Sequence, residues 1–255
     1  MAHCVACQLP LMVEVESDSD SGSDVEMGES SASTARHGAE TVPDDVHLQC
    51  GCHYHWQCLI DAYEQAECPN CGRTLWSTSD EGTNQVLCNL NNEGGLQENL
   101  DILPLLAEEA YLRHNPRERK AHAFIEFCRE GDIDAVIGML QDDDGDEVSM
   151  QDGQLDILRY QDPLGNMQSG LHAAVTAESR EIVWLLLLIA SELELEKFPT
   201  EVLQQANVLG VERPDQRGKV DIRKLRDIEG RSAEDVAVEL GGVWMGWQGT
   251  GRLVA

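Results

Sequence analysis

Seven of the nine cysteines lie at or before residue 71, in two short clusters, the second of which includes a histidine at ligand spacing. The order is Cys4-x2-Cys7, then 42 residues, then Cys50-x-Cys52-x2-His55-x2-Cys58, then nine residues, then Cys68-x2-Cys71. A tight Cys-x2-Cys turn lets both sulfurs reach one ion, and Zn²⁺ takes four nitrogen or sulfur ligands. Eight such donors therefore predict two tetrahedral zinc sites. With every position filled by protein, both zinc ions would be structural.

The middle run leaves alternatives open, because Cys50 to Cys58 offers more donors than one ion accepts. Some of these donors must pair with the outer cysteine pairs. His53 lies beside Cys52 and could take its place as a ligand. A second alternative leaves Cys4 and Cys7 as free thiols with a single zinc bound. A third is another two-zinc fold, such as a PHD finger.

The stretch LQCGCHYHWQCLIDAYEQAECPNC, residues 48–71, resembles the central run of the RING finger family and closes with that family's Cys-Pro-x-Cys. The resemblance implies a cross-brace in which the ligands of the two zinc ions interleave along the chain. The first zinc would be held by Cys4, Cys7, His55 and Cys58. The second would be held by Cys50, Cys52, Cys68 and Cys71. Most RING fingers have histidine where Cys52 stands, and zinc accepts either side chain.

The RING resemblance also implies a partner, a ubiquitin-conjugating enzyme whose charged thioester is held in a reactive pose. It places the contacts with that enzyme at Val5, Ala6, Ala62, Tyr63, Pro69 and Arg73. Pro69 matches the family directly. Ala6 and Ala62 stand where larger apolar residues are usual, and Gly72 separates Arg73 from the last cysteine. These departures favour an alternative in which the zinc module is a non-catalytic adaptor.

The net charge excludes some classes of partner. The chain has 47 acidic and 18 basic residues, a formal charge of -29. Phosphate backbones and anionic lipid surfaces would repel such a chain, so we expect neither nucleic-acid nor membrane binding. No signal peptide is evident, and the longest apolar run, residues 184–190, is too short to span a bilayer. An intracellular protein with reduced thiols is expected, which favours metal binding over disulfides.

Composition divides the chain into three predicted parts. Residues 1–75 form the RING-type zinc module, interrupted by an acidic, serine-rich insertion at 13–46 that lacks the apolar residues for a core and is predicted to be disordered. Residues 76–122 are predicted to connect the zinc module to the third part. They contain a strand signal at 85–88 and a helical pattern at 97–114. Residues 123–250 form the third part.

Three pieces of the third part resemble ankyrin repeats. These are FCREGDIDAVIGML at 127–140, SGLHAAVTAESREIVWLLL at 169–187 and DIEGRSAEDVA at 227–237. The resemblance implies an all-α ankyrin-repeat-like stack that binds a protein partner. Within it, His172 is predicted to be a structural histidine that bonds a turn, and Cys128 a core residue. The expected fold is therefore a small two-zinc cross-brace RING-like domain followed by an all-α stack.

Together these patterns predict a RING-type E3 ubiquitin-protein ligase. The zinc module would bind the charged conjugating enzyme, and the ankyrin-like part would bind the substrate. The alternative is a zinc-binding adaptor or scaffold protein without ligase activity.

Overall fold

The computed structural model describes residues 2–15, 40–63, 67–141 and 155–255. The chain divides into two compact units, Met1–His114 and Asn115–Ala255. Among the described residues, no helix combines the length and apolar character needed to cross a bilayer.

The first unit is built mainly from antiparallel strands. Its elements are β1 (Met12–Val15), β2 (Glu40–Pro43), β3 (Asp45–Leu48), β4 (His53–Tyr54), α1 (Trp56–Ala62), β5 (Trp76–Thr78), β6 (Asn84–Asn92), β7 (Gly95–Asp101) and α2 (Leu103–His114). β1 and β2 pair as a two-stranded ribbon, and the other strands form a five-stranded sheet in which β6 pairs with β3, β5 and β7. The polar strand β6 is thus the centre of the sheet.

Alternating side chains place the core of this unit under one face of the sheet. In β3, Val46 and Leu48 are buried while their neighbours are half-buried. In β6, Val86 and Cys88 are buried in the same way. Helix α2 packs against β6 and α1, and the Arg113 guanidinium donates to the Ile60 carbonyl at 2.6 Å. The sheet and α2 therefore form one core with the segment that carries the cysteine clusters.

The two ends of the acidic insertion are ordered strands rather than disordered chain. Val13 pairs with Val42 and Met12 with Pro43 in the β1–β2 ribbon, and β3 pairs with both β4 and β6. Residues 16–39, to which the rest of the disorder prediction applies, lie outside the described residues. The prediction was wrong at the ends because valines there pair across the ribbon, although the surrounding composition is acidic.

The second unit contains most of the helices. Its elements are α3 (Arg119–Glu130), α4 (Ile133–Gln141), β8 (Gln161–Asp162), β9 (Gln168–Ser169), α5 (Gly170–Thr176), α6 (Arg180–Ala190), α7 (Thr200–Val208) and α8 (Ala233–Leu240). Helix α5 packs between α3 and α8, and α6 packs against α4, α5 and α7. Gly131 ends α3 in the left-handed conformation, with φ at 77°. Ser169, Ser179 and Ser232 begin α5, α6 and α8.

The prediction of an all-α ankyrin-repeat-like stack behind the zinc module is wrong. The chain is a mixed α/β protein with antiparallel sheets: β6 and β7 lie in the five-stranded sheet, and β8 pairs with β9 within the second unit. Helices α3 to α6 and α8 do form where the sequence pattern indicates them. The segment between α6 and α8, however, contains α7, two 3-10 helices and irregular chain. Local helical periodicity therefore identified the helices but not the architecture.

The core of the second unit is closed by tryptophans near the C-terminus. Trp244 is fully buried, and its indole N–H donates to the Val175 carbonyl at 3.0 Å. Trp247 packs edge-on against Trp244 with the ring centres 5.1 Å apart. His172 bonds Ser169 at 2.8 Å and faces the Arg231 carbonyl at 3.1 Å. The structural role predicted for His172 is thus confirmed.

Candidate metal centre

The first donor group unites Cys4, Cys7, His55 and Cys58, whose ligand atoms all lie within 4.8 Å of one another. Cys4 and Cys7 come from a tight turn in which the Gln8 N–H donates to the Cys4 carbonyl at 2.9 Å. His55 and Cys58 come from the start of α1. The His55 Nδ1 atom lies 3.2 Å from the Cys7 sulfur and 3.9 Å from the Cys58 sulfur.

The histidine of this group is oriented by a backbone contact. The His55 Nε2 atom lies 2.8 Å from the Pro10 carbonyl oxygen. A carbonyl only accepts, so Nε2 carries the proton and Nδ1 presents its lone pair to the cysteine sulfurs. A second contact of this kind fixes the tautomer of most metal-binding histidines.

The second group unites Cys50, Cys52, Cys68 and Cys71, again with all four sulfurs within 4.8 Å of one another. Gly51, with φ at 89°, allows the tight turn between Cys50 and Cys52. Cys68 and Cys71 lie in a second turn, which the Gly72 N–H closes on the Cys68 carbonyl at 2.9 Å. Each group has one exposed cysteine, Cys7 in the first and Cys71 in the second.

Two polar side chains hold the sulfurs of the second group. The Asn70 N–H donates to the Tyr54 hydroxyl at 2.9 Å, so the hydroxyl proton is free to donate to the Cys68 sulfur at 3.3 Å. The Asn70 side-chain amide donates to the Cys52 sulfur at 3.4 Å. Tyr54 is almost completely buried. These contacts stabilise negative charge on the sulfurs, as hydrogen bonds around metal ligands usually do.

His53 lies apart from both donor groups. Its Nδ1 atom is 2.8 Å from an Asp45 carboxylate oxygen, and its ring stacks on His47 with the centres 4.2 Å apart. Successive side chains of a strand point to opposite faces, so His53 and Tyr54 in β4 diverge. The structure therefore places Cys52, and not His53, with the other three sulfurs.

The closeness of the donor atoms in both groups is compatible with a tetrahedral ion. Zinc–sulfur bonds of about 2.3 Å put tetrahedral sulfurs about 3.8 Å apart, which is inside the 4.8 Å that limits the separations within each group. Three sulfurs with one imidazole, and four sulfurs, are both common zinc ligand sets. The two groups also alternate along the sequence, pair by pair. The clusters could therefore bind zinc.

The pKa values of the thiols differ within each donor group. Burial raises the pKa of Cys4, but N–H groups of Cys7, His55 and Ala6 outweigh it and bring the pKa to about 6. Burial and neighbouring thiols raise the pKa of Cys58 to about 12. The second group behaves alike: burial opposes ionisation of Cys68, but the Tyr54 hydroxyl and nearby N–H groups lower the pKa to about 6. Each group thus contains one thiol that ionises readily and at least one that ionises poorly, and a bound divalent cation would favour the thiolate form of both.

Of the six residues that the sequence placed against a conjugating enzyme, three are exposed: Ala6, Pro69 and Arg73. Val5 and Tyr63 are half-buried and pack against the core of the first unit, and Ala62 is also half-buried. The Arg73 guanidinium donates to the Cys50 carbonyl at 3.4 Å. Ala6 and Pro69 lie inside the two Cys-x2-Cys turns, so each donor group has one of these residues beside it.

A third group of possible ligands, which the sequence did not reveal, lies in the second unit. His122, Glu126 and Asp162 bring their ligand atoms within 4.8 Å of one another. His122 and Glu126 are four residues apart on α3, a spacing that could have indicated the pair from the sequence. Asp162 comes from β8, and no local spacing indicates its position beside them. Arg129 contacts Glu126, and the Leu164 N–H donates to Asp162. These partners make a structural polar cluster the simpler interpretation.

Replacing Tyr54 with phenylalanine should weaken metal binding at the second group. The change removes the hydrogen bond to Cys68 while keeping the ring, and losing such a contact typically costs about 10- to 100-fold in affinity. Competition with a chromophoric chelator would then show one of two zinc equivalents released more readily. Tyr63→Phe is the matched control, since among the described residues the Tyr63 hydroxyl makes no hydrogen bond to a sulfur. Equal affinities for the two variants would contradict the role assigned to Tyr54.

Metal affinity should fall as the pH falls, and more steeply below about pH 6. Cys50, with its pKa raised to about 12 by burial and neighbouring thiols, and Cys52, also raised, must lose protons to bind metal. Each proton released changes the affinity about tenfold per pH unit. Cys68 adds another proton once the pH passes below its pKa of about 6. Zinc release measured against pH with a colorimetric chelator would test this, and a flat profile between pH 8 and 5 would contradict it.

Comparison of the chain with protein-family models, curated proteins and solved structures finds no match. The chemistry of the two donor groups therefore rests on the residues of this chain alone. On that basis, the chain carries two clusters of cysteine and histidine that could bind zinc.

Proposed function

We propose that the Met1–His114 unit binds two structural zinc ions and acts as the docking module of a RING-type E3 ubiquitin-protein ligase. The observation that supports this proposal is the alternation of the donor groups along the chain. The pairs Cys4–Cys7 and His55–Cys58 belong to one group, and the pairs Cys50–Cys52 and Cys68–Cys71 to the other. Such interleaving ties distant segments together, whereas two independent fingers would each use consecutive ligands.

The zinc ions would be structural because protein atoms fill all four positions at each. When bound, zinc supplies the links that hold the two Cys-x2-Cys turns and α1 in a fixed arrangement. The chain's own contribution to ubiquitin transfer would then be orientation. A rigid surface that holds a charged conjugating enzyme in one pose accelerates attack on its thioester without any covalent bond to the ligase.

The exposed residues around the first turn suit such a docking surface. Leu9 is 61% exposed and lies just after Cys7, where the Cys4 N–H donates to the Leu9 carbonyl at 3.0 Å. It would supply the apolar contact that Ala6 is too small to make. Pro69, exposed in the second turn, would supply another.

A second candidate function, a zinc-braced adaptor without ligase activity, is favoured by the positions of three other residues. Val5 and Tyr63 are partly buried in the core, and Arg73 faces the Cys50 carbonyl. Residues that brace the module are less free to contact a conjugating enzyme or ubiquitin. In this alternative the first unit would only present the second unit to its partner.

A thioester discharge assay distinguishes the two functions. Conjugating enzymes loaded with ubiquitin would be mixed with the zinc-replete chain and free lysine as the acceptor. A ligase should accelerate discharge, and Leu9→Asp should slow it by about tenfold or more, since burying a charge at a contact costs at least 1.4 kcal/mol. Leu96→Asp is the matched control, because Leu96 is 62% exposed on β7. If the chain holds two zinc ions and still accelerates discharge from no enzyme of a broad panel, the result supports the adaptor function instead.

A further inference from the structure

Each donor group has one cysteine at the surface and another beneath it in the same Cys-x2-Cys turn. Cys7 and Cys71 are exposed. Their turn partners, Cys4 and Cys68, are 0% and 1% exposed. Within each turn the two sulfurs lie no more than 4.8 Å apart. A small oxidant in water therefore has access to one sulfur of each turn, and a second sulfur lies directly behind it.

The exposed sulfurs would be reactive when the groups hold zinc. A cysteine sulfur binds zinc as the thiolate, and the thiolate is also the form that oxidants attack. Zinc binding would thus present Cys7 and Cys71 to solvent as thiolates. Redox-sensing cysteines are typically accessible thiolates with a second cysteine beside them that completes a disulfide. Both turns combine these two features.

The other cysteines are less suited to this chemistry. Cys50 and Cys58 are half-buried, and Cys52, Cys88 and Cys128 are buried. Zinc supplies much of the folding free energy of small zinc modules, so the segments that meet at an ion separate when the ion leaves. Two cysteines of one Cys-x2-Cys turn stay close even in an unfolded chain, because closing so short a loop costs little entropy. Disulfides are therefore expected within the turns rather than between segments.

We propose that peroxide converts each Cys-x2-Cys turn to a disulfide and releases both zinc ions, which makes the docking module a redox switch. The inference rests on the zinc binding proposed above and not on ligase activity. Once zinc is lost, the turns and α1 would no longer be held in one arrangement, and the docking surface would be lost with it.

The oxidation proceeds in two steps in each turn. The thiolate of Cys7 or Cys71 attacks one peroxide oxygen, so that an S–O bond forms, the O–O bond breaks and hydroxide leaves. The sulfur is oxidised to a sulfenic acid and the peroxide is reduced. The thiolate of Cys4 or Cys68 then attacks that sulfur, which forms the S–S bond and expels a second hydroxide. Both hydroxides take up protons to give water, and each turn consumes one peroxide.

The test uses the full, reduced, zinc-loaded chain and one equivalent of hydrogen peroxide per zinc ion. Elemental analysis before peroxide is added shows whether two zinc ions are bound, so failure of the zinc assignment is distinguished from failure of this inference. A chromophoric chelator should report release of both ions, compared with the same chain without peroxide. Peptide mapping should then find the disulfides Cys4–Cys7 and Cys68–Cys71. The thiols expected to remain reduced are Cys50, Cys52, Cys58, Cys88 and Cys128.

Two variants identify where the oxidant enters. Zinc accepts imidazole in place of thiolate, so the double variant Cys7→His, Cys71→His should still bind two zinc ions while lacking both exposed sulfurs. It should keep most of its zinc under the same peroxide treatment. Cys88→Ala removes a buried thiol outside both donor groups and should release zinc as the unsubstituted chain does. Should the double variant not bind zinc, the disulfide map of the unsubstituted chain decides.

Three results would overturn the proposal: both zinc ions retained by the unsubstituted chain after peroxide, zinc released without a disulfide in either turn, or zinc lost from the double variant at an unchanged rate. Disulfides that join a turn to Cys50 or Cys58 would also contradict it. Dithiothreitol and zinc added after oxidation should restore two bound ions, and failure to do so would contradict a reversible switch.

Discussion

Cys68→Ala should unfold the Met1–His114 unit. Its sulfur is almost completely buried and is one of four donors that converge within 4.8 Å. A structural zinc contributes about 10–16 kcal/mol in zinc-finger peptides, whereas a whole domain is stable by only about 5–15 kcal/mol. Loss of one ligand therefore removes more stability than this unit can spare. We expect the near-ultraviolet circular dichroism and the dispersed amide resonances of residues 40–63 and 67–114 to be lost.

The control for this experiment is a buried cysteine outside both donor groups. Cys88 is 2% exposed in β6, and Cys88→Ala removes a buried thiol from the same unit without removing a ligand. That variant should keep its fold and its metal, at a cost of about 1 kcal/mol or slightly more. If Cys68→Ala and Cys88→Ala lose stability equally, the sulfur of Cys68 acts only as a core atom and the metal interpretation fails.

Trp244→Ala should have the second largest effect, and it should act on the other unit. The side chain has no exposed surface, so its removal leaves a large cavity in the core. Truncating a buried tryptophan costs about 3–5 kcal/mol, and the Val175 carbonyl, now without its 3.0 Å partner, adds about 1–3 kcal/mol. Most or all of the stability of Asn115–Ala255 would be lost.

Urea unfolding followed by amide resonances of each unit would measure this effect. Trp76→Ala is the control, since Trp76 is 47% exposed on β5 and its loss should cost little. The zinc content of both variants should equal that of the unsubstituted chain. The urea midpoint of the second unit should be lower in Trp244→Ala than in Trp76→Ala. If the two midpoints are equal, the tryptophan cluster does not close the core of the second unit.

The helices were largely predictable because local signals mark them. The ankyrin-like piece at 127–140 contains the end of α3 and nearly all of α4, and Gly131 ends α3 in the left-handed conformation. The ankyrin-like piece at 169–187 contains α5 and most of α6, whose bounds are Arg180–Ala190. Helix α7 was not predicted because it lies between the ankyrin-like pieces, and only Ala206 among its residues is buried. A helix held by so few contacts leaves a weak apolar pattern.

The strands were harder to predict because their pairing is not local. The signal at 85–88 marked the start of β6, but the strand continues through NLNN to Asn92. Polar residues extend as a strand here because β3 and β7 pair with them on the two sides. The short strands β1 and β2 pair across residues 16–39, and no periodicity within four residues can reveal such a partner.

The donor groups show the same division between local and non-local information. Spacing alone identified the eight donors, since Cys-x2-Cys turns are local features. Spacing could not choose between Cys52 and His53, which are adjacent. The choice depends on Asp45, which holds His53 from β3, and on Asn70, which donates to Cys52 from the far turn. Both contacts depend on how β3, β4 and the second turn fold together.

The most direct test of the two-zinc centre is elemental analysis of the intact, reduced chain together with its Cys58→Ala and Cys71→Ala variants. We predict two equivalents of zinc for the unsubstituted chain and fewer for each variant. Cobalt substitution should give spectra of two tetrahedral sites, one with three sulfur ligands and one with four. One equivalent or none in the fully reduced, unsubstituted chain would contradict the assignment of eight ligands to two ions.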